Sequence, residues 1–265
     1  MSEKVRIGLA LSGGGARGIA HIGVIKAFEE HGIQVDAVAG SSAGSIVGAL
    51  YAAGLSADEM LAFVKESSLF KLFKVGLPSD GLTKLTYLRD KLRELMPEDS
   101  FEALGIPLFI AVSNLVTGKL EIKQTGSLSQ VVMASSSIPL VFKPVEIDGD
   151  LYTDGGVMDN LPVGPLLKQT DLVIGVNVMP QYNVSPKSVQ NIFGIATRVF
   201  DMAAWANTQI NLRHCHLTIE PAGLHRYHIF QINKYKDIYQ LGYEEAVAKI
   251  PDLKQALEQF PSRED

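Results

Sequence analysis

Apolar positions along the 265-residue chain gather in short continuous runs, separated by glycine-rich turns and by longer stretches of helical spacing. Residues 5–11 form the first run and read as a buried strand. Residues 35–39 form the second. Between them, residues 19–31 place Ile22, Ile25, Lys26 and Glu29 on a partly apolar helical face, stopped by Gly32. Residues 45–53 are a second apolar helix, closed by Gly54. Strand, helix, strand, helix predicts an α/β fold of three layers, α/β/α, around a mainly parallel central sheet. In such folds a site sits at the C-terminal ends of the strands.

The pattern continues in the same style. Ser56 and Glu59 make a capping box. Leu69, Phe70, Leu72, Phe73, Val75 and Leu77 crowd one segment, interleaved with Lys71 and Lys74. That segment reads either as a lid or interfacial element or as a helix with its apolar face in the core. A helix capped by Thr83 or Thr86 runs to Leu95. Residues 107–114 and 119–124 read as strands, and 128–134 as a short helix. Residues 145–147 and 151–153 flank Asp148-Gly149-Asp150, a hairpin signal. Residues 172–178 make a strong buried strand, and 216–219 a last one. Residues 189–212 form a long helix, too charged at Arg198 and Asp201 to span a membrane. Residues 239–259 read as one helix or as two divided near Pro251. With no repeat or clear linker, the expectation is one domain over 1–265, with a motif-bearing core of about 5–180 and a helical remainder, 181–265.

Composition narrows the choice. Hydrophobic residues make up 46% and charged residues 20%, the balance of a globular chain. The formal net charge of −5 argues against general nucleic-acid binding, which needs a basic surface. The lone cysteine, Cys215, excludes an internal disulfide framework and suggests a reducing, cytoplasmic setting. The N-terminal apolar run is cut by Gly13 to Gly15, too early for a signal peptide. No uncharged stretch is long enough to span a bilayer, so membrane contact would be peripheral.

The candidate chemistry begins at Gly40-Ser41-Ser42-Ala43-Gly44, between the second strand and its helix. Gly-x-Ser-x-Gly in that context is a nucleophile elbow. Its small residues admit the tight turn, and the helix N-terminus favours alkoxide character at Ser42. Ser12-Gly13-Gly14-Gly15-Ala16-Arg17-Gly18 ends the first strand and permits two readings. One is a dinucleotide fingerprint, with Asp36 near the spacing of a ribose-binding acid. That acid belongs at the end of the second strand, however, and Asp36 sits at its start. The other is an oxyanion hole, whose glycine amides turn toward Ser42 from the adjacent strand. The base for Ser42 could be Asp154, just after a short strand. A histidine is the alternative: His214, His216, His225 and His228 all follow Asp154, so the order Ser…Asp…His is formally present. His214-Cys215-His216 also has metal-ligand character, but no second cluster completes it.

Taken together, the glycine loop 12–18, the elbow 40–44 and Asp154-Gly155-Gly156 resemble the patatin-like phospholipase family, as small bacterial members carry them. Residues 134–139 and 160–162 resemble family stretches at similar places, and the likeness covers about residues 5–179. The resemblance implies a patatin-like fold and a Ser–Asp dyad without histidine. Ser42 would be the nucleophile and Asp154 the general base. Gly13, Gly14 and Gly15 would form the oxyanion hole, and Arg17 would be the loop's basic contact to substrate or loop. It implies hydrolysis of acyl esters on glycerolipids, with no metal or organic cofactor. The partners implied are a lipid or acyl-ester substrate and a peripheral membrane, not nucleic acid. Ser12 departs from the family, where many members carry Asp. Competing readings are a carboxylesterase or acyltransferase on the same dyad, a nucleotide-binding protein and a non-catalytic adaptor.

Overall fold

The computed structural model describes residues 4–66 and 85–259. The crowded apolar segment 69–77 lies outside the described residues.

Among the described residues, eight strands form one mixed sheet: β1 (Ile7–Leu11), β2 (Ala37–Gly40), β3 (Leu108–Asn114), β4 (Leu120–Lys123), β5 (Val145–Ile147), β6 (Asp150–Asp154), β7 (Leu172–Val176) and β8 (Leu217–Ile219). Their order is β5-β6-β3-β2-β1-β7-β8, with β4 also on β3. Neighbours among β3, β2, β1, β7 and β8 pair in parallel. β4, β5 and β6 pair antiparallel. β1, β3 and β7 are buried at every position, as strands covered on both faces must be. The α-helices among the described residues are α1 (Ile19–Glu30), α2 (Ala43–Ala52), α3 (Ala57–Glu66), α4 (Thr86–Leu95), α5 (Leu128–Ser135), α6 (Ile192–Leu212) and α7 (Tyr235–Gln259). One apolar cluster lies on the α1 and α7 side of the sheet, and a smaller one around Phe109, Leu161 and Val173.

The register around β3 locates the site. Ile110 pairs with Gly40 of β2 on one edge and Lys123 of β4 on the other. Val112 pairs with Asp154 of β6 and with Glu121 of β4. β2 and β6 therefore share one edge of β3 and run at each other head-on, with only Ala111 between their ends. The junction is tight: a side chain at Gly155 would strike the Ala111 carbonyl. Two strand C-termini, carrying Ser42 and Asp154, are delivered to one point.

Local expectations hold with small shifts. Ser56 and Glu59 exchange the capping-box bonds. Asp148 and Gly149 turn the β5–β6 hairpin with φ of 53° and 88°, the mirror-image turn that matches strand twist. α6 starts at Ile192, capped by Asn191, later than the apolar pattern begins. Of the two readings of the closing segment the single helix is found: α7 runs unbroken through Pro251. Its buried residues Ile238, Gly242, Ala246, Ile250 and Leu253 lie on both sides of the proline. Packing along one continuous stripe outweighs the single backbone bond that proline removes.

Candidate active site

Ser42 stands between β2 and α2 with φ 50° and ψ −123°, a strained conformation for a residue with a side chain. The elbow needs its glycines. A Cβ on Gly40 would come within 2.5 Å of the Gly44 carbonyl, and one on Gly44 would strike the Leu11 carbonyl. Ser42 Oγ donates to Asp154 Oδ2 at 2.6 Å. Asp154 Oδ1 accepts from the Gly156 N–H at 2.8 Å. Both side chains are buried, Asp154 completely. Burial pushes the Asp154 carboxyl up to about 7, and the bonds from Ser42 and Gly156 offset only part of that. Among the described residues no histidine bonds to either side chain.

Three consecutive serines stitch the pair together. Ser135 Oγ accepts the Ser42 N–H at 2.9 Å and donates to the Ala111 carbonyl at 2.8 Å. Ser136 Oγ reaches the Ser42 carbonyl at 3.4 Å. The Ser137 carbonyl accepts from Asp154 N at 3.0 Å and from Thr153 Oγ1 at 2.6 Å. Sequence reasoning gave these serines no role, although they lie in the 134–139 stretch it singled out.

The glycine loop differs in detail from the expectation. The Gly13 N–H is spent on the Asn160 carbonyl at 3.1 Å, so it is not free for an oxyanion. The N–H groups of Gly14 and Gly15 have no acceptor among the described residues. Gly15, at φ 58°, leaves no room for a side chain against the Ile229 carbonyl. Arg17 is also not where a substrate contact belongs. It is 1% exposed. Its Nε donates to the Tyr227 carbonyl at 2.8 Å and its guanidinium lies 4.8 Å from the Tyr182 ring centroid. It ties the loop to the C-terminal segment. Ser12 Oγ accepts from Val178 N at 2.9 Å, a structural bond that suits the serine found there.

The decoys have structural uses. Asp36 Oδ2 accepts from Ile7 N at 2.7 Å. His21 Nε2 donates to the Ser12 carbonyl at 2.8 Å. Burial lowers its pKa to about 4, so the ring is neutral. His216 Nδ1 accepts from Val173 N. Among the described residues no cluster of three or more His, Cys, Asp or Glu could hold a metal.

Asn207, Thr208 and Asn211, on the inner face of α6, had no sequence signal. Asn207 Nδ2 donates to the Gly156 carbonyl at 3.0 Å, and its Oδ1 accepts from Asn160 N at 2.9 Å. Asn160 Nδ2 donates to Thr208 Oγ1, and Asn211 Nδ2 to Asp159 Oδ1. α6 thus holds the loop after Asp154, and Asn160 links that loop to Gly13. Ser42 and Gly15 open onto an apolar pocket whose walls include Ile19, Ile22, Ile46, Val47, Ile138 and Phe142.

A mixed α/β sheet with a strained serine at a strand-to-helix turn and a buried aspartate against it defines a nucleophile-elbow protein whose serine has a carboxylate partner. The comparisons with known proteins make this specific. The model of the patatin-like phospholipase family matches residues 9–167, and the chain belongs to that family. An NTE family protein of Mycobacterium tuberculosis is 37% identical over 181 residues, which cover 67% of this chain and 50% of the relative. Lysophospholipase NTE1 of Yarrowia lipolytica is 33% identical over 179 residues, 65% of this chain and 12% of the relative. The chain thus spans half or less of these curated relatives. VipD from Legionella pneumophila has a similar fold, with TM-score 0.50 and 16% identity, over 97% of this chain and 67% of that one. Among the described residues no helix is long and apolar enough to cross a membrane.

Proposed function

We propose that this protein is a lipid acyl-ester hydrolase of the phospholipase A or lysophospholipase type, working through Ser42 and Asp154. The observation that carries the reading is the 2.6 Å bond between two buried side chains at the mouth of an apolar pocket. Family membership supports the acyl-ester chemistry, and one relative's name, lysophospholipase, supports the lipid.

Ionised Asp154 accepts the Ser42 proton at Oδ2 as Oγ attacks the ester carbonyl carbon. The tetrahedral oxyanion is held by the free amides of Gly14 and Gly15. Its collapse breaks the ester bond, and Asp154 returns the proton to the leaving alcohol oxygen. Water, deprotonated by Asp154, then hydrolyses the acyl-enzyme. The apolar pocket takes the acyl chain, and its burial positions the carbonyl. The working site is the cytoplasmic side of a membrane, approached from its surface. The lone thiol supports a reducing compartment, and the packing of α7 along α1 supports reading the C-terminal segment and the motif-bearing core as one unit.

The test is hydrolysis of a panel of p-nitrophenyl esters and lysophospholipids, with fluorophosphonate labelling. Wild type turns over and is labelled. Ser42→Ala does neither. Retained turnover in Ser42→Ala overturns the assignment.

A further inference from the structure

The outer face of α6 is unlike the rest of the surface. Its exposed positions include Ile192, Ile195, Val199, Met202, Ala206 and Ile210, and among its described side chains every exposed one is apolar. Ile192 is 83% exposed and Val199 59%. The spacing puts them on one stripe, about 27 Å long at 1.5 Å per residue. Stripes of this size mark an interface with a protein or a membrane. The helix's two charges are both turned toward Tyr182. Arg198 Nη2 donates to its carbonyl at 3.1 Å, and Asp201 Oδ2 accepts from its hydroxyl at 2.6 Å.

Beside the stripe is a cavity of about 240 Å³, lined by Tyr182, Arg198, Asp201, Met202, Trp205 and Ala206 among others. Met202 and Ala206 belong to both features. The cavity therefore offers a guanidinium and a carboxylate side by side, with two amphipathic aromatic rings. Asp201 is buried, and its Oδ1 has no hydrogen-bond partner among the described residues. A buried carboxylate with one oxygen lacking a donor is costly, and a cation held in the adjoining cavity would offset its charge.

We propose that the outer face of α6 docks on a zwitterionic lipid surface. The aliphatic stripe enters the interface, and the cavity receives a phosphate–ammonium headgroup, phosphate toward Arg198 and ammonium toward Asp201. This rests on the reading of the protein as a lipid hydrolase. Charge selects the lipid. Anionic bilayers recruit through Lys and Arg, and the stripe has none while the chain carries −5. Tyr182 and Trp205 have the apolar body and polar tip that suit headgroup depth. The inner face of the helix holds the loop after Asp154, so the docked element and that loop are joined by direct hydrogen bonds.

Trp205 is the chain's only tryptophan and reports docking directly. The experiment uses full-length Ser42→Ala protein, so that vesicles are not degraded. Phosphatidylcholine vesicles should shift Trp205 emission to the blue, and brominated acyl chains should quench it. Ile195→Gln/Val199→Gln should weaken partition about tenfold, and Arg198→Gln several-fold, each with an unchanged melting temperature. Wild-type emission that ignores the brominated lipid overturns the proposal. So does binding confined to phosphatidylglycerol vesicles, or an unchanged partition in either variant. A dimer in sedimentation velocity that the double variant dissolves, with vesicle binding intact, also overturns it and assigns the face to a second copy. Partition is read without turnover, so a failed ester assay would undo the hydrolase reading through a separate result.

Discussion

At the scale of single residues, Asp154 sets two opposed expectations. Its pKa is raised from 3.8 to about 7. Between those values the unfolded chain sheds the proton while the folded one keeps it, so folding loses stability as pH rises through that window. Asp154→Asn has no such ionisation. It should melt several degrees higher than wild type near pH 8 and no higher near pH 4, while losing turnover as completely as Ser42→Ala. A melting curve for the variant that tracks wild type at both pH values contradicts the burial argument. Gly14→Ala should lower kcat by roughly 100-fold with little change in KM, because the displaced amide acts on the transition state. Single-turnover rates separate this from weakened binding. The pairing of Ser42 with Asp154 and the tight glycine turns were legible, because turn sterics leave small-residue signatures. Ser135 and Asn207 were not, because a hydroxyl or amide that bonds backbone across the fold looks like any other polar residue in sequence. The spent amide of Gly13 and the buried guanidinium of Arg17 were hidden for the same reason: burial and partner choice are properties of the folded chain.

At the scale of elements, α1 and α7 approach through reciprocal glycines. A Cβ on Gly23 would strike the Tyr239 carbonyl, and one on Gly242 the Ala20 carbonyl. Gly242→Val should force the helices apart at a cost of about 3 kcal/mol or more, from overpacking in a core that cannot yield. Thermal unfolding measures it, and an unchanged midpoint would mean that α7 can slide without loss. The strands and most helices were readable, because runs of apolar residues and glycine stops encode them locally. What sequence missed or left open was tertiary: the start of α6, the choice between one helix and two for α7, and the antiparallel entry of β6. A proline's local penalty was overruled by a buried stripe that no local window contains.

At the scale of the molecule, the base and the pH profile must be separated. A carboxylate held near 7 rises through the same pH range as a histidine near 6.5, so kcat/KM with an ascending midpoint near 7 cannot by itself distinguish them. Substitution does. His214→Gln, His216→Gln, His225→Gln and His228→Gln should each leave kcat within about threefold and the midpoint in place. A folded variant of these that is as inactive as Ser42→Ala would restore a triad. The head-on meeting of β2 and β6 has a consequence of another kind. The distance between serine and aspartate is counted out in residues along β3, which serves as a ruler. Loops at the rim can lengthen or shorten without recalibrating it. A descendant of this sequence could exchange every rim loop and keep the spacing of Ser42 and Asp154, whereas one residue inserted between Ile110 and Val112 would put the two halves out of step.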